Sequence, residues 1–241
     1  HVFLVIKGVP GCLMPDATDH LIISRNSASK KTTIAACASC RLKDVCKGWP
    51  VDAPRMKRLR GVPDIPLEIA LEITGRCNLA CGYCTTASRT NRDAPLKDIL
   101  ATIDETKALG IPSIRLTGGE PLLHPQLPRI LAHAKTKGVY VILNTNATTI
   151  PQKLWPVLAK TVDNVLVSLQ GYDAASNRDL TSSAGSFVQK IKNVARLRRM
   201  VPVVRLGTVI TPTLLRQFSD YAGLVRKLNV HSWALFRPIA L

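Results

Sequence analysis

The stretch CNLACGYC, positions 77–84, carries three thiols, Cys77, Cys81 and Cys84. Spacings of four and three set their sulfurs around a compact centre, and no fourth cysteine follows nearby. A structural zinc site closes with four ligands, and an ordinary four-iron cluster takes four thiolates. Three cysteines facing a four-iron cubane would leave one iron without a protein ligand, and an open iron is a place for substrate or cofactor. A second group stands upstream: Cys37, Cys40 and Cys46 in CASCRLKDVC, with Cys12 in PGCLMPD. Four thiolates in a turn-rich segment can close a tetrahedral zinc or a second four-iron cluster. The two groups together use all 7 cysteines of the chain.

The elements that must position these groups are legible in the hydrophobic pattern. From residue 67 onward, short apolar runs alternate with amphipathic stretches, which is the pattern of repeated βα units and a parallel sheet. LEIALEIT (67–74) sets Leu67, Ile69, Leu71 and Ile73 against Glu68, Ala70 and Glu72, the period of a strand with one polar face. A helix is predicted over 95–109, where Leu96, Ile99, Leu100 and Ile103 repeat at helical spacing between Pro95 and Gly110. Further strands are predicted over 113–119, 140–146, 163–171, 201–210 and 231–239, with helices near 125–137, 151–160, 186–199 and 213–228. Cys77 directly follows the first strand, on the loop at its carboxyl end, where active sites of parallel α/β folds collect. Residues 1–60 differ, with few periodic segments and four cysteines. They read as a cysteine-rich metal-binding appendage joined by the proline-containing linker 61–66 to the unit 67–241.

CNLACGYC has the form C-x3-C-x-aromatic-C, and RLTGGEPLLHP after the second strand carries GGEP; together they resemble the radical S-adenosylmethionine (radical SAM) superfamily across roughly 67–241. The resemblance implies an α/β fold, a partial (β/α)6 TIM-type barrel with the small cysteine-rich segment before it. It implies a [4Fe–4S] cluster on Cys77, Cys81 and Cys84, whose fourth iron is chelated by the amino and carboxylate groups of S-adenosylmethionine. Reductive cleavage of that cofactor would yield methionine and a 5′-deoxyadenosyl radical that abstracts hydrogen from the substrate. By the same similarity, Tyr83 presents its backbone to the adenine, and Gly118, Gly119, Glu120 and Pro121 shape the turn that meets the methionyl ammonium. Asn144, Asn146, Ser168 and Gln170 would face ribose or carboxylate, with Arg205 and Thr208 as further cofactor-binding candidates, and Arg237 would pair with a carboxylate. Asn144 and Asn146 also suit capping of the following helix or shaping of the turn, Arg205 and Arg237 suit structural roles, and His124 and Glu120 suit orientation of the loop. The C-x2-C-x5-C spacing followed by Lys47 and Gly48 resembles the SPASM or twitch-type auxiliary cluster modules of related enzymes. Those modules ordinarily follow the barrel, and this one precedes it. A second iron–sulfur cluster is favoured over zinc at Cys12, Cys37, Cys40 and Cys46.

Composition narrows the function classes. Lys+Arg 33 against Asp+Glu 16 gives a net charge of +17, which gathers polyanions or acidic peptides at the surface. The basic clusters Arg55, Lys57, Arg58, Arg60 and Arg196, Arg198, Arg199 lack interleaved aromatics for base stacking, so nucleic acid is a weak expectation. No apolar run reaches the roughly 18 residues of a membrane span, and no signal peptide is evident, so a soluble cytoplasmic protein is expected. The first residue is His1 and the last is Leu241, directly after a strand-like run, which suggests a piece of something longer. The leading expectation is a radical enzyme acting on a peptide or protein, reduced by a donor such as a flavodoxin or ferredoxin. A small-molecule cyclase resembling the first enzyme of molybdenum-cofactor synthesis is the alternative. A zinc-stapled nucleic-acid-binding module leaves the three-ligand loop and GGEP unexplained.

Overall fold

The computed structural model describes residues 67–84, 91–183 and 185–236. The appendage 1–60 with Cys12, Cys37, Cys40 and Cys46, the linker 61–66, and Arg237 lie outside the described residues.

Six strands form one sheet, all neighbours parallel and in chain order: β1 (Glu68–Thr74), β2 (Ser113–Gly118), β3 (Tyr140–Thr145), β4 (Asn164–Ser168), β5 (Val203–Val209) and β6 (Ser232–Phe236). Parallel neighbours require a crossover, and helices supply it: α1 (Leu96–Ala108), α2 (Leu127–Thr136), α3 (Trp155–Thr161), α4 (Ala174–Thr181), α5 (Ser186–Met200), α6 (Pro212–Arg216) and α7 (Phe218–Leu228). The result is the expected partial TIM-type half-barrel.

Strand alternation divides the sheet into two chemically different faces. Ile69, Leu71, Ile73, Ile114, Leu116, Val141, Leu143, Val165, Val167, Val204 and Leu206 are buried, and with helix residues such as Ile103, Ile130, Leu131, Leu158 and Leu197 they make one continuous core. The alternate positions include Glu68, Glu72, Arg115, Asn144 and Arg205 and face the concave side. A closed barrel fills that side with branched apolar residues, whereas this one leaves it polar.

Three features depart from the sequence reading. The helix expected over 213–228 is two, α6 and α7, because Gln217 leaves the helical region at φ −117°, ψ 31°. The helix expected at 151–160 opens as a 3₁₀ turn, Gln152–Leu154, before α3. Helix α4 had no periodic signal, since AASNRDLT has no apolar stripe. It is held instead by a capping box between Asp173 and Ser176, and by Asn177, which is fully buried and hydrogen-bonds Thr181, Ser183 and Ser186.

Candidate functional site

At the carboxyl ends of the strands lies a cavity of about 190 Å³ lined by Cys77, Cys81 and Cys84, by Leu79 and Tyr83, and by residues from the ends of β2, β3 and β4. Its geometry begins with the way β2 is fastened to the segment that follows β1. Gly119 N–H donates to the Thr74 carbonyl (2.8 Å) and Glu120 N–H to that of Arg76 (2.7 Å). The two backbones approach so closely that a Cβ on Gly118 would lie 2.2 Å from the Thr74 oxygen, and one on Gly119 2.2 Å from the Arg76 oxygen. Gly118 also has φ +130°, which a side chain disfavours. The double glycine therefore has a packing task beside the ligand approach expected of it: it lets the chain entering Cys77 rest on the end of β2. Arg76 adds an ion pair to Asp93 (2.9 Å), and Thr74 donates to the same carboxylate (2.7 Å).

Glu120 is buried, 1% exposed, and does not line the cavity. Its carboxylate accepts from Thr145 Oγ1 (2.7 Å), Asn146 N–H (2.7 Å) and Leu122 N–H (3.1 Å). Burial pushes its pKa up, against these hydrogen bonds and the nearby Lys190 charge. The chain of contacts continues outward. Asn146 Nδ2 donates to Asn78 Oδ1 (2.8 Å), Asn146 Oδ1 accepts from Thr148 N–H (2.9 Å), and Asn78 Nδ2 donates to Thr148 Oγ1 (2.8 Å). Glu120 and Asn146 thus tie the ends of β2 and β3 to the residue beside Cys77.

The three cysteines are half-buried around the cavity. Leu79 N–H donates to Cys77 Sγ (3.4 Å), and Cys84 N–H to the Cys81 carbonyl (3.2 Å), closing a turn over CGYC. Among the described residues no three Cys, His, Asp or Glu side chains are grouped to hold a single metal ion. The three thiols line one cavity and could together hold a metal cluster. Burial, followed by the charge of Cys81 and a hydrogen bond to it, pushes the Tyr83 hydroxyl well above the usual phenol range.

Of the other expected residues, Gly118, Gly119, Asn144, Asn146, Ser168 and Gln170 line the cavity. Asn144 Oδ1 accepts from Arg115 Nη1 (2.8 Å), and Gln170 Oε1 from Val209 N–H (3.1 Å). Pro121, Arg205 and Thr208 do not line it: Pro121 opens a buried 3₁₀ turn, Arg205 sits lower on the concave face, and Thr208 accepts from Trp233 Nε1 (2.8 Å) within the outer layer.

Lys190 is the charged lining residue that sequence reasoning missed, along with Leu79, Thr117, Thr145 and Thr181. It is fully buried and lines the cavity from α5, with Nζ donating to Asn177 Oδ1 (3.2 Å). Burial draws its ammonium down to about 8, opposed by the charges of Cys81 and Glu120. A signal existed, since Lys190 falls four residues before Val194 on the buried stripe of α5. Thr117, Thr145 and Thr181 complete the polar lining.

A parallel α/β half-barrel with a three-thiolate cavity at its strand ends defines a class of cofactor-dependent enzymes. The model of the Radical SAM superfamily matches residues 71–222, and the chain belongs to that superfamily. An AdoMet-dependent heme synthase of Nitratidesulfovibrio vulgaris is 28% identical over 172 residues, covering 70% of this chain and 47% of that protein. A PqqA peptide cyclase of Streptomyces rochei is 33% identical over 172 residues, covering 68% and 45%. The chain thus spans about half the length of the curated relatives it matches. Among solved structures, Streptococcus suis SuiB bound to S-adenosylmethionine superposes with a TM-score of 0.67 at 23% identity, over 73% of this chain and 42% of that one.

Proposed function

We propose that Cys77, Cys81 and Cys84 bind three irons of a [4Fe–4S] cluster and that the rest of the cavity holds S-adenosylmethionine. The observation that carries this is the set of three half-buried thiols that line one cavity at the strand ends. When bound, that pair supplies one-electron cleavage of a sulfonium bond and hydrogen abstraction from the substrate. The chain's own residues hold, orient and shield. Lys190 offers a desolvated positive charge suited to a cofactor carboxylate, while Asn144, Ser168 and Gln170 offer amide and hydroxyl groups suited to ribose or carboxylate. The Glu120–Asn146–Asn78 chain fixes the loop on which Cys77 rides, and Leu79 helps to exclude water.

We place the substrate among peptides. Support comes from relatives named PqqA peptide cyclase and from a neighbour in fold whose structure is described as bound to the precursor peptide SuiA. A small-molecule substrate is the second reading, favoured by the heme synthase relatives. Cys12, Cys37, Cys40 and Cys46 are proposed as ligands of a second iron–sulfur cluster of the auxiliary type. A flavodoxin or ferredoxin in the cytoplasm would supply the electron. Among the described residues no helix is long and apolar enough to cross a membrane.

Oxygen-free reconstitution with iron and sulfide tests the reading. About four irons per chain correspond to one cluster and about eight to two. Addition of reductant and S-adenosylmethionine should release 5′-deoxyadenosine, and Cys77→Ala should abolish that release. Undiminished release from Cys77→Ala would reject the assignment.

A further inference from the structure

The concave face below the cavity carries two arginines in unequal circumstances. Arg115, its side chain 20% exposed, is fully engaged: Nε and Nη2 form a fork on the Glu68 carboxylate (2.7 Å each), and Nη1 donates to Asn144 (2.8 Å). Arg205 donates only through Nε, to Asn164 Oδ1 (2.9 Å), and its two terminal nitrogens make no hydrogen bond among the described residues. Partial burial and then the neighbouring Arg115 charge disfavour its cationic form, with Glu68 and Tyr140 opposing. Glu72, on the same face of β1, is exposed and bonds neither arginine. Glu68, Arg115 and Arg205 therefore form a cluster with one positive charge unmatched.

Position gives that charge a purpose. Ser168, which lines the cavity, pairs with Gly207, and Leu166 one step lower pairs with Arg205. Two residues along a strand amount to about 6.6 Å, so Arg205 lies one side-chain layer beneath the cavity rim. In the Ser168 layer Gly207 has no side chain, and the space over it is taken by the Phe236 ring, 2.8 Å from where a Cβ would lie, and by Leu166 Cδ1 at 3.4 Å. A carboxylate that reaches this part of the concave face, bordered by those apolar edges, meets a planar guanidinium whose two terminal nitrogens make no hydrogen bond among the described residues. That fork matches a carboxylate in a two-point contact, and one monoanion neutralises the cluster while Glu68 disfavours a dianion.

We propose that Arg205 is a substrate-recognition residue, and that the substrate carries a carboxylate that pairs with its open guanidinium edge beneath the cofactor cavity. In a peptide this is an aspartate, a glutamate or the terminal carboxylate of the segment entering the half-barrel. The inference rests on the cavity above being the reaction centre, as proposed.

The test uses the full chain, reconstituted and supplied with S-adenosylmethionine. Two blocked pentapeptides serve as probes, identical except for a central glutamate or glutamine, with affinities measured by calorimetry. The wild type should bind the glutamate probe at least about tenfold more tightly, near 1.4 kcal/mol. Arg205→Gln should erase that preference, and Arg205→Lys should keep part of it, with circular dichroism showing both variants folded. Equal binding of the two probes, binding of neither up to about 50 mM, or an intact preference in Arg205→Gln overturns the proposal. Release of 5′-deoxyadenosine by the wild type without peptide, with a chemical reductant such as dithionite added, is followed separately. Its absence counts against the cofactor reading and leaves the peptide comparison to judge Arg205.

Discussion

Two buried ionisable side chains in the same region have opposite duties. Glu120 has acceptors matched by three donors, so its replacement should disturb architecture. Glu120→Gln turns one acceptor into a donor facing Thr145 Oγ1 or Asn146 N–H. A loss on the order of 2 kcal/mol is expected, read by denaturant unfolding. Lys190 has one amide partner and a cavity in front of it, and that makes its proton a reporter. The unfolded chain holds this proton to about pH 10.5, whereas the folded protein releases it near 8. At pH 7 both states are protonated and the desolvation penalty is fully present. Between those two values the unfolded state binds more protons, so stability rises with pH, by roughly 3 kcal/mol across the window. Lys190→Met should remove that rise, measured as the difference between wild-type and variant unfolding curves of the metal-free protein from pH 7 to 10. At this scale Cys77, Cys81, Cys84, Gly118, Gly119, Asn144, Asn146, Ser168 and Gln170 were legible as residues that meet at one cavity, because each had a motif or a predicted strand end to mark it, whereas Thr117 and Thr145 at the same strand ends were not. Lys190 was hidden because one polar residue on an otherwise apolar helical face reads as an interruption of the pattern, and only burial shows it to be part of the site.

Secondary elements position the site through a few close crossings, and the glycines distinguish crossings from open loop. Gly119→Ala would drive a methyl into the Arg76 carbonyl and should cost on the order of 3 kcal/mol. For a chain of this size that lowers Tm by roughly 6–12 °C in a thermal melt. Gly171→Ala meets the Asn177 amide nitrogen at 2.1 Å and should behave similarly. Gly82→Ala, with nothing within 4 Å, should stay within about 0.5 kcal/mol of wild type. Strand and helix order was readable because buried strands are short apolar runs and the outer helices carry a stripe on one side. Helix α4 was not, since side-chain hydrogen bonds and a cap stabilise it in place of an apolar face. The break at Gln217 was also invisible, because Leu214, Phe218, Tyr221 and Val225 continue a helical spacing across it.

Across the whole molecule, a charge of +17 would favour an acidic partner such as the carboxylate substrate proposed above. Affinity for an acidic peptide should fall severalfold between about 0.05 and 0.3 M salt if surface charge contributes, whereas a partly buried pairing at Arg205 is screened less. Glutamate and glutamine probes titrated at both salt concentrations separate the two contributions. The sheet's strand order has one further consequence. In a ring closed by hydrogen bonds, strand number and stagger dictate the bore; β1 and β6 are the two ends of an arc and are not paired with each other among the described residues. The gauge of this arc is therefore set from outside, by the volumes of helix residues such as Ile103 and Leu197 wedged behind it. Shaving or enlarging those side chains should change which substrates pass, although none of them faces the concave side.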